Sequence, residues 1–277
     1  MSTETDLMQA VLAKKVLPSQ ASSWWLGGSG FIIKSPLGIV GLIDPYLSNA
    51  AEEIFGVQRA FPIPVAPEAV RANVVISTHW HEDHLDPGSI PIIARNNVDA
   101  KFVMPPSAMA RALSWGVRRS QIVSLKHGES TAIGDMRIEA MPARHEAGVA
   151  GWEVPDAMGA LLEVDDLKIY HSGDTEYDLR LRRLKRLQFD ITLLCINGAG
   201  GNMDAYEAAL LAWQLGGSMV IPIHHLLWAQ TSDNVEETLD PELFVKTYTR
   251  LGGKGRAIVP IVGEELDFKK CTSLDAQ

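Results

Sequence analysis

The stretch His79-Trp80-His81-Glu82-Asp83-His84 constrains this chain more than any other. It packs three imidazoles and the Asp83 carboxylate into six residues, directly after the apolar run Val74-Val75-Ile76. The chain uses only 8 His in 277 residues, so such crowding at the end of a strand-like run points to a metal site rather than to a surface loop rich in His. In an extended segment alternate side chains share a face. His79 and His81 can therefore grip one ion together, while Asp83 and His84, placed where the chain has turned, can face a second ion beside it. Any fold for this chain must hold that loop at a strand end and bring further donors to it.

The remaining pattern suggests how. Residues 24–26, 31–34 and 39–44 read as an antiparallel meander, with Gly27-Gly28-Ser29-Gly30 turning the first two strands. An α/β alternation follows: strand 74–77, helix 88–96, strand 101–104 and helix 106–115. Strands return at 121–125, 136–141, 160–164 and 168–170, the last two joined by the tight turn Asp165-Asp166. Helix 176–187, strand 191–196, helix 204–215, strand 219–223, helix 241–251 and strand 257–262 complete the reading, and Asp204 with Glu207 forms a capping box. Two sheets, each covered outside by helices, is the layering that suits this order. With no low-complexity linker and no solenoid repeat, one domain over 1–277 is expected, with 1–21 as an N-terminal extension and 269–277 as a tail.

Charge narrows the partners. A net charge of −9 argues against a generic nucleic-acid surface, which needs clustered positive charge to displace counterions. Arg180, Arg182, Arg183, Lys185 and Arg186 are a local exception, read as a solvated helix face, with a subunit contact or an anion-steering patch as alternatives. No segment reaches 18 apolar residues and no signal peptide is evident, so a cytoplasmic protein without membrane contact is expected. Cys195 and Cys271 belong to no disulfide framework. The expected partner is a small-molecule substrate, and a homo-oligomer is expected.

A two-metal site needs more donors, and three follow strand-like runs downstream. His145 comes after 136–141, Asp174 lies in Tyr170-His171-Ser172-Gly173-Asp174-Thr175, and His224 ends 220–223 with His225 behind it. Singly, each has another explanation: a buried His, an Asp capping a helix, a strand-end pair. Asp44, closing Leu42-Ile43-Asp44-Pro45, fits either a residue that orients a ligand His or a simple turn before Pro45.

The order H-x-H-x-D-H, then His, Asp and His resembles the metallo-β-lactamase fold superfamily over residues 24–268. That resemblance implies an α/β fold of four layers, an αββα sandwich. It also implies two divalent metal ions, with His79, His81 and His145 around one, Asp83, His84 and His224 around the other, and Asp174 between them. Trp24-Trp25-Leu26-Gly27-Gly28-Ser29-Gly30, Tyr170-His171-Ser172-Gly173-Asp174-Thr175-Glu176-Tyr177 and Ile221-Pro222-Ile223-His224-His225-Leu226-Leu227-Trp228 are similar to the L-ascorbate-6-phosphate lactonase branch. By that likeness His224 is the ligand and His225 a substrate contact, and the metal is Mn or Zn, with Fe admitted by the imidazole-rich donors. The implied activity is hydrolysis of a small lactone, sugar-phosphate lactones included, by a metal-bridged hydroxide. Asp83 or Asp174 would relay the proton. The loops 46–64 and 146–158 would set specificity, with Trp152, Tyr177 and Trp228 as candidate pocket residues. A phosphodiesterase or nuclease of the same fold is the alternative.

Overall fold

The computed structural model describes residues 3–145, 150–229 and 240–270. β1 (Gln20–Gly27), β2 (Gly30–Lys34) and β3 (Val40–Ile43) form the antiparallel meander. β3 then runs parallel to β4 (Val74–Ile76), followed by β5 (Lys101–Met104) and β6 (Ile122–Ser124). The two-residue period of a strand sends alternate side chains to opposite faces. On β4, Val74 and Ile76 enter the core between the sheets while Val75 faces outward with Trp24, Leu26, Ile32, Leu42 and Phe102. That outer face is covered by α1 (Thr3–Ala13), α3 (Ile90–Asn96) and α4 (Pro106–Ser114), whereas α2 (Ala50–Phe55) stands in the loop after β3.

The second sheet begins with β7 (Ser130–Ile133), β8 (Met136–Pro142), β9 (Met158–Val164) and β10 (Leu167–His171) in antiparallel succession. It continues in parallel through β11 (Ile191–Cys195), β12 (Met219–Ile223) and β13 (Arg256–Ala257). α5 (Ala205–Leu215) and α6 (Pro241–Arg250) cover its outside through Ala208, Leu211, Ala212, Phe244 and Tyr248. β14 (Glu265–Lys269) closes the first sheet against β1. Two mixed sheets flanked by helices are the expected αββα sandwich.

Four local differences have physical causes. Residues 3–13 form a helix whose Leu7, Met8 and Val11 join the outer core, and Lys34 Nζ caps its end by donating to the carbonyls of Val11 and Leu12 at 2.8 and 2.7 Å. A cation on the last carbonyls complements the helix dipole. α2 has no periodic signal because it is only six residues long. The expected helix 176–187 is a 3-10 helix over Leu181–Leu187, because the preceding backbone is engaged elsewhere: Glu176 N donates to Arg144 O at 2.7 Å, and Asp178 Oδ1 accepts from Arg180 N at 2.8 Å. Its basic residues Arg182, Arg183, Lys185 and Arg186 are exposed. The expected strand 257–262 leaves the second sheet after Ala257, and Val262 bridges instead to Trp25 of the first; Pro260 between them has no N–H for a ladder.

The Asp204–Glu207 capping box forms as read, with Glu207 N donating to Asp204 Oδ1 at 2.8 Å and Asp204 N donating to Glu207 Oε2 at 3.2 Å. Cys195 is buried and its thiol is pushed up to about 12 by burial, while Cys271 lies outside the described residues. Among the described residues no helix is long and apolar enough to cross a membrane.

The fold positions the site through strand direction. β3, β4, β8, β10 and β12 all deliver their C-terminal ends to one edge of the sandwich, and Asp44, the 78–84 loop, His145, Asp174 and His224 follow those ends. The carboxyl edge of parallel strands is where open α/β folds place ligands.

Candidate metal centre

The chain turns at once after β4: the amides of His84 and Leu85 both donate to His81 O, at 3.0 and 2.8 Å. The strand ends at Ile76, so His79 and His81 project from a bend over residues 78–81 and not from extended backbone as the sequence spacing suggests, and Asp83 and His84 project from the turn that follows. Three donor groups result, His79/His81/His145, His79/His84/Asp174 and Asp83/His84/His224, with the ligand atoms of each within 4.8 Å of one another. In the first group His81 Nδ1 lies 2.9 Å from His79 Nε2 and 3.1 Å from His145 Nε2. In the last, His224 Nε2 lies 3.2 Å from Asp83 Oδ2 and 3.2 Å from His84 Nε2. Asp174 stands between the two, with Oδ2 3.8 Å from His145 Nε2 and 3.3 Å from His224 Nε2, and Oδ1 3.4 Å from His84 Nε2. All seven side chains named in the sequence are brought together.

The electrostatics divide the cluster. Burial pushes His79 well below its usual value, helped by the neighbouring His84, His81 and His145. Burial also lowers His81 and brings His145 down to about 4, so all three present lone pairs at neutral pH. Burial would likewise depress His84 and His224, but the carboxylates win. Asp174, Asp83 and Asp44 raise His84 well above the imidazole range, and Asp174 with Asp83 raises His224 to about 10. Against the opposing effect of burial, the same pairing holds Asp83 and Asp174 well below the usual carboxylate range. One buried carboxylate, Asp174, and one half-buried, Asp83, demand compensating positive charge. Protons on His84 and His224 supply it, and a divalent cation would supply it while displacing them. Asp174 Oδ1 and His145 Nδ1 are buried with no hydrogen-bond partner among the described residues, and neutral imidazole with carboxylate is a donor set for Zn, Mn or Fe. The residues fit a metal.

A supporting layer fixes these donors. Asp44, fully buried at φ 43°, accepts from Thr78 N at Oδ1 and from Thr78 Oγ1 at Oδ2, both at 2.7 Å, and its Oδ2 lies 2.8 Å from His84 Nδ1. Asp44 thereby directs His84 Nε2 into the cluster, the outer role that sequence had left open against a plain turn. The turn between β1 and β2 does similar work: Gly28 O accepts from His224 N at 2.8 Å and from Trp25 Nε1 at 3.0 Å, and Ser29 O accepts from His171 Nε2 at 2.8 Å. His171 Nδ1 in turn accepts from Gly173 N at 3.0 Å, just ahead of Asp174, and Asn202 Nδ2 donates to Asp174 Oδ2 at 2.6 Å. Thr78, His171 and Asn202 had no role assigned from sequence. His171 lies inside a quoted motif, while Asn202 carries no local signal.

Gly173 at φ 59° leaves no room for a Cβ, which would sit 2.7 Å from Met158 O and 3.0 Å from Thr78 Cβ. Gly173→Ala is therefore expected to cost about 2 kcal/mol from strain and crowding, a fall of roughly 4–8 °C in Tm by scanning calorimetry.

A cavity of ≈ 250 Å³ opens over the cluster, lined by His81, Asp83, His145, Asp174 and His224 below and by Ala51, Phe55, Val57, Trp152 and Trp228 above. Both loops expected to set specificity reach it, although residues 146–149 lie outside the described residues. Of the four expected substrate contacts, Trp152 and Trp228 line the cavity and the other two do not. Tyr177 instead bonds Gln214 of α5 through its hydroxyl, at 3.2 Å to Oε1. His225 is buried with its ring 4.8 Å from that of Trp25, because the left-handed backbone at His224 and Leu226 turns it away from the cavity. Asn197, unanticipated from sequence, lines the floor.

The model of the beta-lactamase superfamily domain matches residues 24–224. A probable L-ascorbate-6-phosphate lactonase of Salmonella paratyphi B is 24% identical over 271 residues, covering 83% of this chain and 77% of the relative. Among solved structures, Igni18, a metallo hydrolase from the hyperthermophilic archaeon Ignicoccus hospitalis, superposes with a TM-score of 0.66 at 24% identity over 90% of this chain and 99% of its own. An isothiocyanate hydrolase from Delia radicum gut bacteria superposes with a TM-score of 0.70 at 20% identity over 90% and 100%.

Proposed function

The chain belongs to the beta-lactamase superfamily and is a metal-dependent hydrolase of the metallo-β-lactamase fold, and from that premise we propose that it opens a small lactone at a dinuclear metal centre. Support comes from one observation above all: three donor groups overlap, the middle one, His79/His84/Asp174, sharing His79 with the first and His84 with the last, so that the Asp174 carboxylate lies between two adjacent three-donor sets. His79, His81 and His145 would hold one ion and Asp83, His84 and His224 the other, with Asp174 placed to serve both. Two ions held there supply Lewis acidity and lower the pKa of water from about 16 toward about 7.

The chain's own groups do the rest. The His79, His81 and His145 imidazoles offer neutral donors. Asp83 is the more open of the two carboxylates, its side chain 18% exposed against 5% for Asp174. It therefore takes the proton of the attacking water and returns it to the departing alkoxide, which needs a carboxylate within hydrogen-bond reach of the cavity. Asp44 and Thr78 keep His84 from rotating, and Asn202 does the same for Asp174. Relatives named as lactonases favour the lactone over other carbonyl esters.

Chelator treatment is expected to abolish lactone opening, and added Mn or Zn to restore it. The test is pH-stat assay of a lactone panel beside bis-p-nitrophenyl phosphate. A phosphodiester rate far above every lactone would replace this reading with a phosphodiesterase of the same fold.

A further inference from the structure

We propose that the cavity is built for an uncharged lactone bearing an apolar side chain and discriminates against phosphorylated ones, an inference that rests on the lactone-opening reading. The wall facing the donors is aromatic. Phe55 and Trp152 remain 46% and 41% exposed although their rings meet at 5.9 Å. Trp152 also stacks on Trp80 at 6.4 Å and meets His81 edge-on at 5.3 Å, while Trp228 packs edge-on against Tyr46 at 5.4 Å. Exposed, mutually braced aromatic rings at the mouth of a cavity mark an apolar binding surface.

Charge points the same way. The charged residues lining this cavity among the described residues are Glu82, Asp83 and Asp174, besides the imidazoles, with no Lys or Arg. Segments 146–149 (Glu-Ala-Gly-Val) and 230–239 (Gln-Thr-Ser-Asp-Asn-Val-Glu-Glu-Thr-Leu) contain no Lys or Arg either. The guanidiniums nearby in sequence do not line this cavity. Arg111 binds Glu82 at 2.7 Å and lies over the Trp80 ring, and Arg59, which lines another cavity, donates through Nη1 to Tyr46 O at 2.8 Å and to Ser48 O at 3.3 Å, its buried Nη2 having no hydrogen-bond partner among the described residues. Arg144 pairs with Glu176 and Arg180 with Asp178, and both open on a neighbouring cavity that shares only His145 with this one. Phosphate recognition relies on such cations in charge-assisted hydrogen bonds. A lactone whose carbonyl sits at Asp83, Asp174 and His224 would press any phosphoryl substituent against Phe55, Trp152 and Trp228. Two neutral polar groups lining the cavity are buried and unpartnered among the described residues, Asn197 Oδ1 and Asn202 Oδ1, and each suits a substrate hydroxyl that donates to it.

The test uses the metal-loaded protein and two hydrolytically inert γ-lactams, one carrying a hexyl chain and one a phosphonooxymethyl group, titrated by calorimetry. Each methylene buried is worth roughly fourfold in affinity. The hexyl lactam is expected to bind at least about tenfold tighter than the phosphorylated one. Trp152→Ala should weaken the hexyl lactam about tenfold without affecting the phosphorylated one, and Trp152→Phe should restore most of the loss. Tighter or equal binding of the phosphorylated lactam, an unaffected Trp152→Ala protein, or no binding of the hexyl lactam overturns the proposal. The matching lactones keep the two readings apart. Tight hexyl-lactam binding with an inert hexyl lactone sinks the lactonase reading and leaves the apolar cavity standing. Faster opening of the phosphorylated lactone does the reverse.

Discussion

Asp174→Ala is expected to lose one of the two metal ions and about a thousandfold or more in kcat/KM for the lactone, a barrier increase of about 4 kcal/mol. Asp174 is the one carboxylate whose oxygens approach both halves of the cluster, 3.8 Å from His145 and 3.3 Å from His224. Deleting it removes a shared donor and also the negative charge that His84 and His224 face, so neither half keeps its partner set. Metal analysis by plasma mass spectrometry on the purified variant reads the first effect, and steady-state kinetics the second. Retention of both ions would refute the shared-ligand role even if activity fell.

The second large effect is expected at a residue that touches no substrate. Asp44→Ala should weaken metal binding by about 10–100-fold, the usual consequence of removing a carboxylate behind a ligand His. It should also destabilise the protein by about 1–3 kcal/mol, because the buried Thr78 N–H loses its acceptor. Asp44→Asn separates the two. Its carbonyl can still accept from Thr78 N, so most stability should return. Its amide N–H₂ then faces Thr78 Oγ1 and His84 Nδ1 where an acceptor stood, so the affinity loss should persist. Chelator-competition titrations and thermal melts of the metal-free proteins give the two numbers. Equal metal affinity in wild type and both variants would reduce Asp44 to a turn residue before Pro45.

The legible part of this protein was the part written in local spacing. His79 and His81 announce themselves because they crowd with His84 directly after the apolar strand Val74–Ile76, although they lie in a bend and not on the strand, and His145, Asp174 and His224 because each follows an apolar run that ends in a polar residue. The αββα layering was legible for the same reason, since β4, β11 and β12 are short, fully buried apolar runs. What escaped depends on contacts between distant segments. Asn202 matters only because its loop folds over Asp174, and His171 only because Ser29, 142 residues away in sequence, offers a carbonyl. Tyr177 and His225 were misjudged as cavity residues because proximity in sequence to a ligand says nothing about side-chain direction once the backbone takes a left-handed turn. The start of the 181–187 helix was hidden because Thr175 Oγ1 and Glu176 N are both held by the backbone of Arg144, in the loop after β8.

We propose that the seven clustered side chains hold two ions and that those ions drive lactone opening. The most direct measurement is a metal titration of chelator-stripped protein, with bound metal and lactone-opening rate recorded on the same samples. The rate should be negligible without metal and rise to a plateau as occupancy approaches two ions per chain with Mn or Zn. Fewer than about one ion bound per chain at saturation, or full occupancy without any lactone opened, would contradict it.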